Sequence, residues 1–156
     1  MAYISYTELE RRIPQDQLIE LVNDENRVTT AVDLSNAADA CRVRLDGLIQ
    51  SACDFADSFL VSTNLSLPIM NPPNMLKDVV TDIAAYNVYT RRPMDTPLSI
   101  VDRYKSAIQA LKNIQSGVQA LGVDPSVNVG MAAGHYMTDK IDADREYNPA
   151  KWETYR

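Results

Sequence analysis

The chain has 156 residues, 15 Lys and Arg against 21 Asp and Glu, and a formal net charge of −6, long enough for one ordinary domain with a real core. Hydrophobic residues at 46% and charged residues at 23% lie near globular averages, which excludes a wholly disordered or fibrous chain. The acidic balance argues against a dedicated nucleic-acid binder, whose basic face would release counterions from phosphates, and no run of about 18 apolar residues offers a membrane span.

The N-terminus, Met1-Ala2-Tyr3-Ile4-Ser5-Tyr6, has neither a basic start nor an apolar stretch, so no signal peptide is read and synthesis in a cytoplasm is expected. Residues 1–31 read as a helical arm. Ser5 or Thr7 can cap a short helix over residues 8–13, which Pro14 stops. Asp16 then precedes Leu18, Ile19, Leu21 and Val22, an amphipathic turn or two, and the polar residues 23–26 form a loop.

Leu34, Ala38, Cys41, Leu45, Leu48, Ala52, Phe55 and Phe59 follow at alternating spacings of four and three. That pattern predicts a long helix, capped by Asp33 or Thr30 and fading near Ser62 and Thr63. Gly47 inside it costs about 1 kcal/mol relative to Ala, which suggests a close helix crossing or a local bend. Cys41 and Cys53 on this helix would stand roughly 18 Å apart at 1.5 Å per residue. They are too distant for a disulfide and read as small buried hydrophobes.

Leu65, Leu67, Ile69 and Met70, interleaved with Pro68, suggest a loop pinned to the core. Pro72 and Pro73 open the next helix, with Leu76, Val79, Val80, Ile83, Ala84, Tyr86 and Asn87 toward the interior. Arg91 and Arg92 close it at the negative end of its dipole, before Pro93 and Pro97. A last helix is expected over residues 98–116, with Ile100, Tyr104, Ala107, Ile108, Leu111 and Ile114 inward and Gly117 as its stop.

After Gly117 no helical stripe persists, and Gly122, Pro125, Gly130, Gly134 and Pro149 interrupt the chain. Yet Tyr136, Tyr147, Trp152 and Tyr155 are four of eleven aromatics, and a merely solvating segment should be poor in them. Residues 118–156 are therefore expected to adhere to something: the body, a sister copy or another protein. These four aromatics are the candidate partner-binding residues, with Trp152 and Tyr155 one helical turn apart.

Catalytic patterns are thin. His135, the single histidine, lies in the low-periodicity tail, which undercuts a Ser/His/Asp or Cys/His site, and no paired zinc-ligand spacing exists. Asp54 with Asp57, and Asp78 with Asp82, share helix faces but lack the Glu-x-x-His companions of di-metal bundles, so solvated or salt-bridging faces are expected. Asp139, Asp142, Asp144 and Glu146 lack the EF-loop spacing and its turn glycine. No glycine arrangement cradles a phosphate, and the dispersed Arg42, Arg44, Arg91 and Arg92 do not suggest sequence-specific DNA reading. No catalytic residue, metal or cofactor is assigned.

The order of features resembles Mu-type phage head–tail joining proteins. Met1-Ala2-Tyr3-Ile4 with Leu9 and Leu18-Ile19-x-Leu21 is similar to that family's opening, and residues 52–60 to the end of its long helix. Leu67-Pro68-Ile69, Pro72-Pro73 and the run from Leu76 through Asp82-Ile83-Ala84-x-Tyr86-x-x-Tyr89 are similar to its proline loop and following helix. Arg103-Tyr104, Ala107-Ile108, Leu111, Ile114 and Gly117 are similar to its last helix. The resemblance spans roughly residues 1–122. Ser58 stands where the family carries a glycine, the loop at 23–26 is shorter, and the last 34 or so residues match nothing.

The composition of residues 118–156 points to an extended C-terminal interaction tail; the resemblance implies an all-α fold, a small four-helix connector-type bundle with short N-terminal helices (residues 1–117). It implies a non-enzymatic virion neck adaptor that forms a ring, usually of twelve copies, beneath the portal. The ring would extend the DNA channel without sequence-specific DNA binding and offer a platform to the tail or stopper protein. The competing expectations are another small helical assembly or tail-completion protein and, further off, an enzyme or metal protein using the carboxylates.

Overall fold

Helix starts and stops follow local side-chain chemistry in the computed structural model, which describes residues 2–63, 65, 67–92 and 95–123. All regular elements among the described residues are helical: α1 (Tyr6–Glu10), α2 (Gln15–Val22), a 3-10 turn (Thr29–Ala31), α3 (Ala40–Leu60), α4 (Asn74–Thr90) and α5 (Leu98–Gln115). Of the two candidate caps for α1, Ser5 occupies the position, and the Glu8 carboxylate accepts its backbone N–H at 2.7 Å. The helix therefore starts and ends earlier than residues 8–13. Pro14, expected to stop α1, lies three residues past its Arg11 C-cap and stands instead at the cap position of α2.

The long helix begins later than its apolar stripe. Asp39, and neither Asp33 nor Thr30, caps α3 by accepting the Cys41 N–H at 2.8 Å. Upstream, Asp33 accepts the Ser35 N–H at 2.9 Å and Asn36 accepts that of Ala38 at 3.0 Å. Such local bonds offer the backbone an alternative to helix, so Leu34 and Ala38 fall outside α3, although Leu34 is still fully buried. The buried face is Cys41, Leu45, Ile49, Ala52, Cys53, Ala56 and Leu60. Leu48 and Phe59 pack on its flank, while Phe55 is 37% exposed and meets Phe59 edge-on, ring centroids 5.3 Å apart. Gly47 marks no close crossing: a Cβ there would meet nothing within 4 Å.

α4 is buried more widely, on Leu76, Val79, Val80, Thr81, Ile83, Ala84, Ala85 and Val88, because it packs against both α3 and α5 and touches α1 and α2. α5 turns Ile100, Ala107, Leu111 and Ile114 inward, and Tyr104 stacks on Tyr86 at 4.0 Å. Ile108, expected inside, is half-buried and outside the core cluster. Gly117 ends α5 at φ +74, where its N–H reaches the Ile114 carbonyl at 3.0 Å. The chain then folds back, with Gln119 N–H on the Asn113 carbonyl at 3.1 Å and Leu121 buried. The compact unit thus runs Met1–Pro125. α5 and the α1/α2 pair each pack on both α3 and α4 but not substantially on each other.

Candidate functional site

Among the described residues, the turn after α2 is heavily braced. A helix end leaves backbone carbonyls without partners, and here guanidinium groups from two other helices supply them. Arg44 of α3 donates to the Val22 carbonyl at 3.3 Å, and Arg91 and Arg92, beyond α4, donate to those of Leu21 and Asn23 at 3.1 and 2.8 Å. Arg91 stands at the C-cap of α4, where the sequence placed it, and the side chains of Arg91 and Arg92 have a second role that the sequence did not show, capping the end of α2. Asp24 and Glu25 complete the cluster, with Asp24 gripped by Arg91 and Glu25 accepting from Arg44 at 2.8 Å. Hydrogen bonding from Arg91, helped by the charges of Arg91 and Arg44, pulls the Asp24 carboxyl down to about 2.

Arg27 extends the brace to the start of α3. The Asn23 amide closes the turn by donating to the Arg27 carbonyl at 2.6 Å and accepting its N–H at 3.1 Å. The Arg27 guanidinium then holds Asp39 with two N–H groups, at 2.7 and 3.2 Å. Those bonds, with the one from the Cys41 N–H, bring the Asp39 carboxyl to about 2.

A second brace ties the N-terminus to α3. The Tyr3 hydroxyl donates to Asp57 and accepts the Ile69 N–H at 3.2 Å, while the Tyr3 N–H reaches Cys53 Sγ at 3.3 Å. Burial, then the bond to Asp57, pushes the Tyr3 phenol up, and burial does the same to the Cys53 thiol.

These contacts decide the carboxylate pairs. Arg12 spans Asp78 at 3.2 Å and Asp82 at 3.3 Å, and burial raises the Asp82 carboxyl against that pull. Asp54 accepts from Gln50 at 2.8 Å, and Asp57 is engaged by Tyr3. Both pairs are salt-bridging or hydrogen-bonding faces. Among the described residues no group of three or more His, Cys, Asp or Glu is placed to hold a metal, and no helix is long and apolar enough to cross a membrane. Cys41 and Cys53 are free and buried. His135, the acidic run 139–146 and the candidate partner-binding Tyr136, Tyr147, Trp152 and Tyr155 lie outside the described residues.

What the described body offers a partner is its surface. Exposed apolar side chains include Val28, Val43, Phe55, Val61 and Leu98. The alternating spacing of α3 concealed Phe55, because two adjacent faces of that helix carry apolar residues and periodicity cannot say which one is covered. A family model described as Bacteriophage Mu, Gp36 matches residues 3–138 of the chain. The match takes in all five helices and continues past residue 122 to include Tyr136, further than the resemblance was expected to reach. No curated protein matches the chain.

Proposed function

From the premise that the chain belongs to the bacteriophage Mu Gp36 family, and is thus a phage protein, we propose that it is a structural head–tail connector subunit of the virion neck. Copies assemble as a ring under the portal, extend the DNA channel and present a platform to the tail or stopper. The subunit performs no bond-making chemistry. The observation that carries this reading is the family match across the whole helical body, from Tyr3 through α5.

The physics of the body supports the role. Arginine braces between α2, α3 and α4, and the Tyr3 tie to α3, suit a part that must hold its shape while DNA passes. A net charge of −6 gives phosphates few counterion-releasing contacts to linger on. The aromatic residues Tyr136, Tyr147, Trp152 and Tyr155 supply anchors whose weak individual contacts multiply around a ring. Electron microscopy of the full chain mixed with portal rings tests the reading: added annular density on the portal supports it, and undecorated portals refute it.

A further inference from the structure

The outward side of α5 carries Leu98, Val101, Lys105, Ile108 and Lys112 at spacings of three and four, one continuous helical stripe. Leu98 is 79% exposed, and Val101 and Ile108 are half-buried without joining the core. Lys105 meets only the equally exposed Asp102 of the same helix, at 3.6 Å, a contact of little energetic consequence. Lys112 has no carboxylate within ion-pair distance among the described residues.

The free edge of α2, which makes no substantial contact with α5, has the opposite sign. Asp16 and Glu20 are exposed, one turn apart, and without a paired cation among the described residues. Their neighbours Asp24 and Glu25 are already consumed by Arg91, Arg44 and Arg27. Like charges at this spacing are mildly unfavourable on a lone helix. Asp16 and Glu20 line a cleft of about 630 Å³ with Thr29, Arg27 and Arg92, and both arginines are engaged within their own subunit, Arg27 by Asp39 and Glu25 and Arg92 by Asp24 and the Asn23 carbonyl. Val28, 70% exposed, directly precedes Thr29.

We propose that the α5 stripe of one copy docks on the α2 edge of a second copy, a contact that rests on the ring reading and supplies its geometry. Lys105 and Lys112 stand about 10 Å apart along α5, on either side of Ile108, and their long side chains converge on Asp16 and Glu20. Leu98, Val101 and Ile108 then share the dry part of the contact with Val28. Self-pairing is disfavoured on both sides, since α5 against α5 sets lysine on lysine and α2 against α2 sets carboxylate on carboxylate. The contact is therefore head to tail. Repeated contacts of that kind close into rings when the rotation permits, and the two surfaces belong to elements that do not pack substantially on each other, so both are available at once.

Native mass spectrometry and sedimentation of the full chain test this with two double variants, Lys105→Glu with Lys112→Glu, and Asp16→Lys with Glu20→Lys. Each variant alone should self-associate roughly tenfold or more weakly than the natural chain while keeping its helical circular dichroism. Each opposes itself but complements the other, so equimolar mixing should restore assemblies in which the two alternate. Undiminished assembly of the variants, or no recovery on mixing, overturns the α5–α2 contact and leaves the ring reading standing. A natural chain that stays monomeric even beside the portal overturns both.

Discussion

The Arg91 guanidinium grips the Asp24 carboxylate through both terminal nitrogens, 2.8 Å from Nη1, and so locks the end of α4 to the turn after α2. The same Arg91 caps the Leu21 carbonyl, so one side chain serves two needs. Arg91→Ala should lower the melting temperature by several degrees. Arg91→Lys should recover only part of the loss, because an ammonium lacks the two-pronged geometry. Thermal denaturation followed by circular dichroism measures both.

Acid should loosen this brace before it touches the core. Asp24 and Asp39 carry folded values of about 2, against an unfolded carboxylate near 4. A depressed folded value stabilises above the unfolded one and is lost as pH falls, so the contribution is full above about pH 4 and vanishes toward pH 2. Urea midpoints across pH 5 to 2 should decline, and Asp24→Asn should flatten the decline. An equal slope in that variant would show that other groups set it.

Gly47→Ala should stabilise the chain by about 1 kcal/mol. The site is exposed in the middle of α3, and the added methyl meets nothing within 4 Å. Urea unfolding reads the gain; a loss would point back to the close crossing that a glycine within the helix suggested.

Removing the Tyr3 hydroxyl should cost about 1–2 kcal/mol, because Tyr3→Phe strips Asp57 of a donor and the buried Ile69 N–H of its acceptor. Denaturant unfolding of Tyr3→Phe, Asp57→Ala and the double variant should show less than additive losses, since both changes break one contact.

Ile83→Ala should cost about 2–5 kcal/mol and Phe55→Ala under about 1 kcal/mol, although phenylalanine is the larger residue. Ile83 is fully buried between helices, whereas Phe55 is 37% exposed, lies outside the core and rests against Phe59. The contrast bears on how much the sequence could reveal. Helix type and order were legible because the three-four spacing persists through Leu76, Val79, Val80 and Ile83, and because Gly117 and the prolines punctuate it. The rotation of α3 was not, since Leu48, Phe55 and Phe59 satisfy the same period as Ile49, Ala56 and Leu60. Its start was hidden because Asp33, Asn36 and Asp39 are all competent caps, and local hydrogen bonds choose among them. The arginine brace was illegible for another reason. Arg44, Arg91 and Asp24 are distant in sequence, and only the packing of α2 on α3 and α4 brings them together.

A chain ending at Pro125 should still fold to a helical body with a cooperative thermal transition, because the first compact unit closes there and Leu121 already packs into it. It should capture portal rings more weakly in a pull-down. Trp152→Ala in the full chain should show a smaller loss, about 2 kcal/mol per subunit if that residue is an anchor.

Imaging the full-length chain by cryo-electron microscopy on the portal of its own phage is the most direct measurement. The expected outcome is a closed ring of identical subunits, with α5 of each against α2 of the next and an open channel through the centre. Single, unassembled subunits in the presence of bare portals would contradict it.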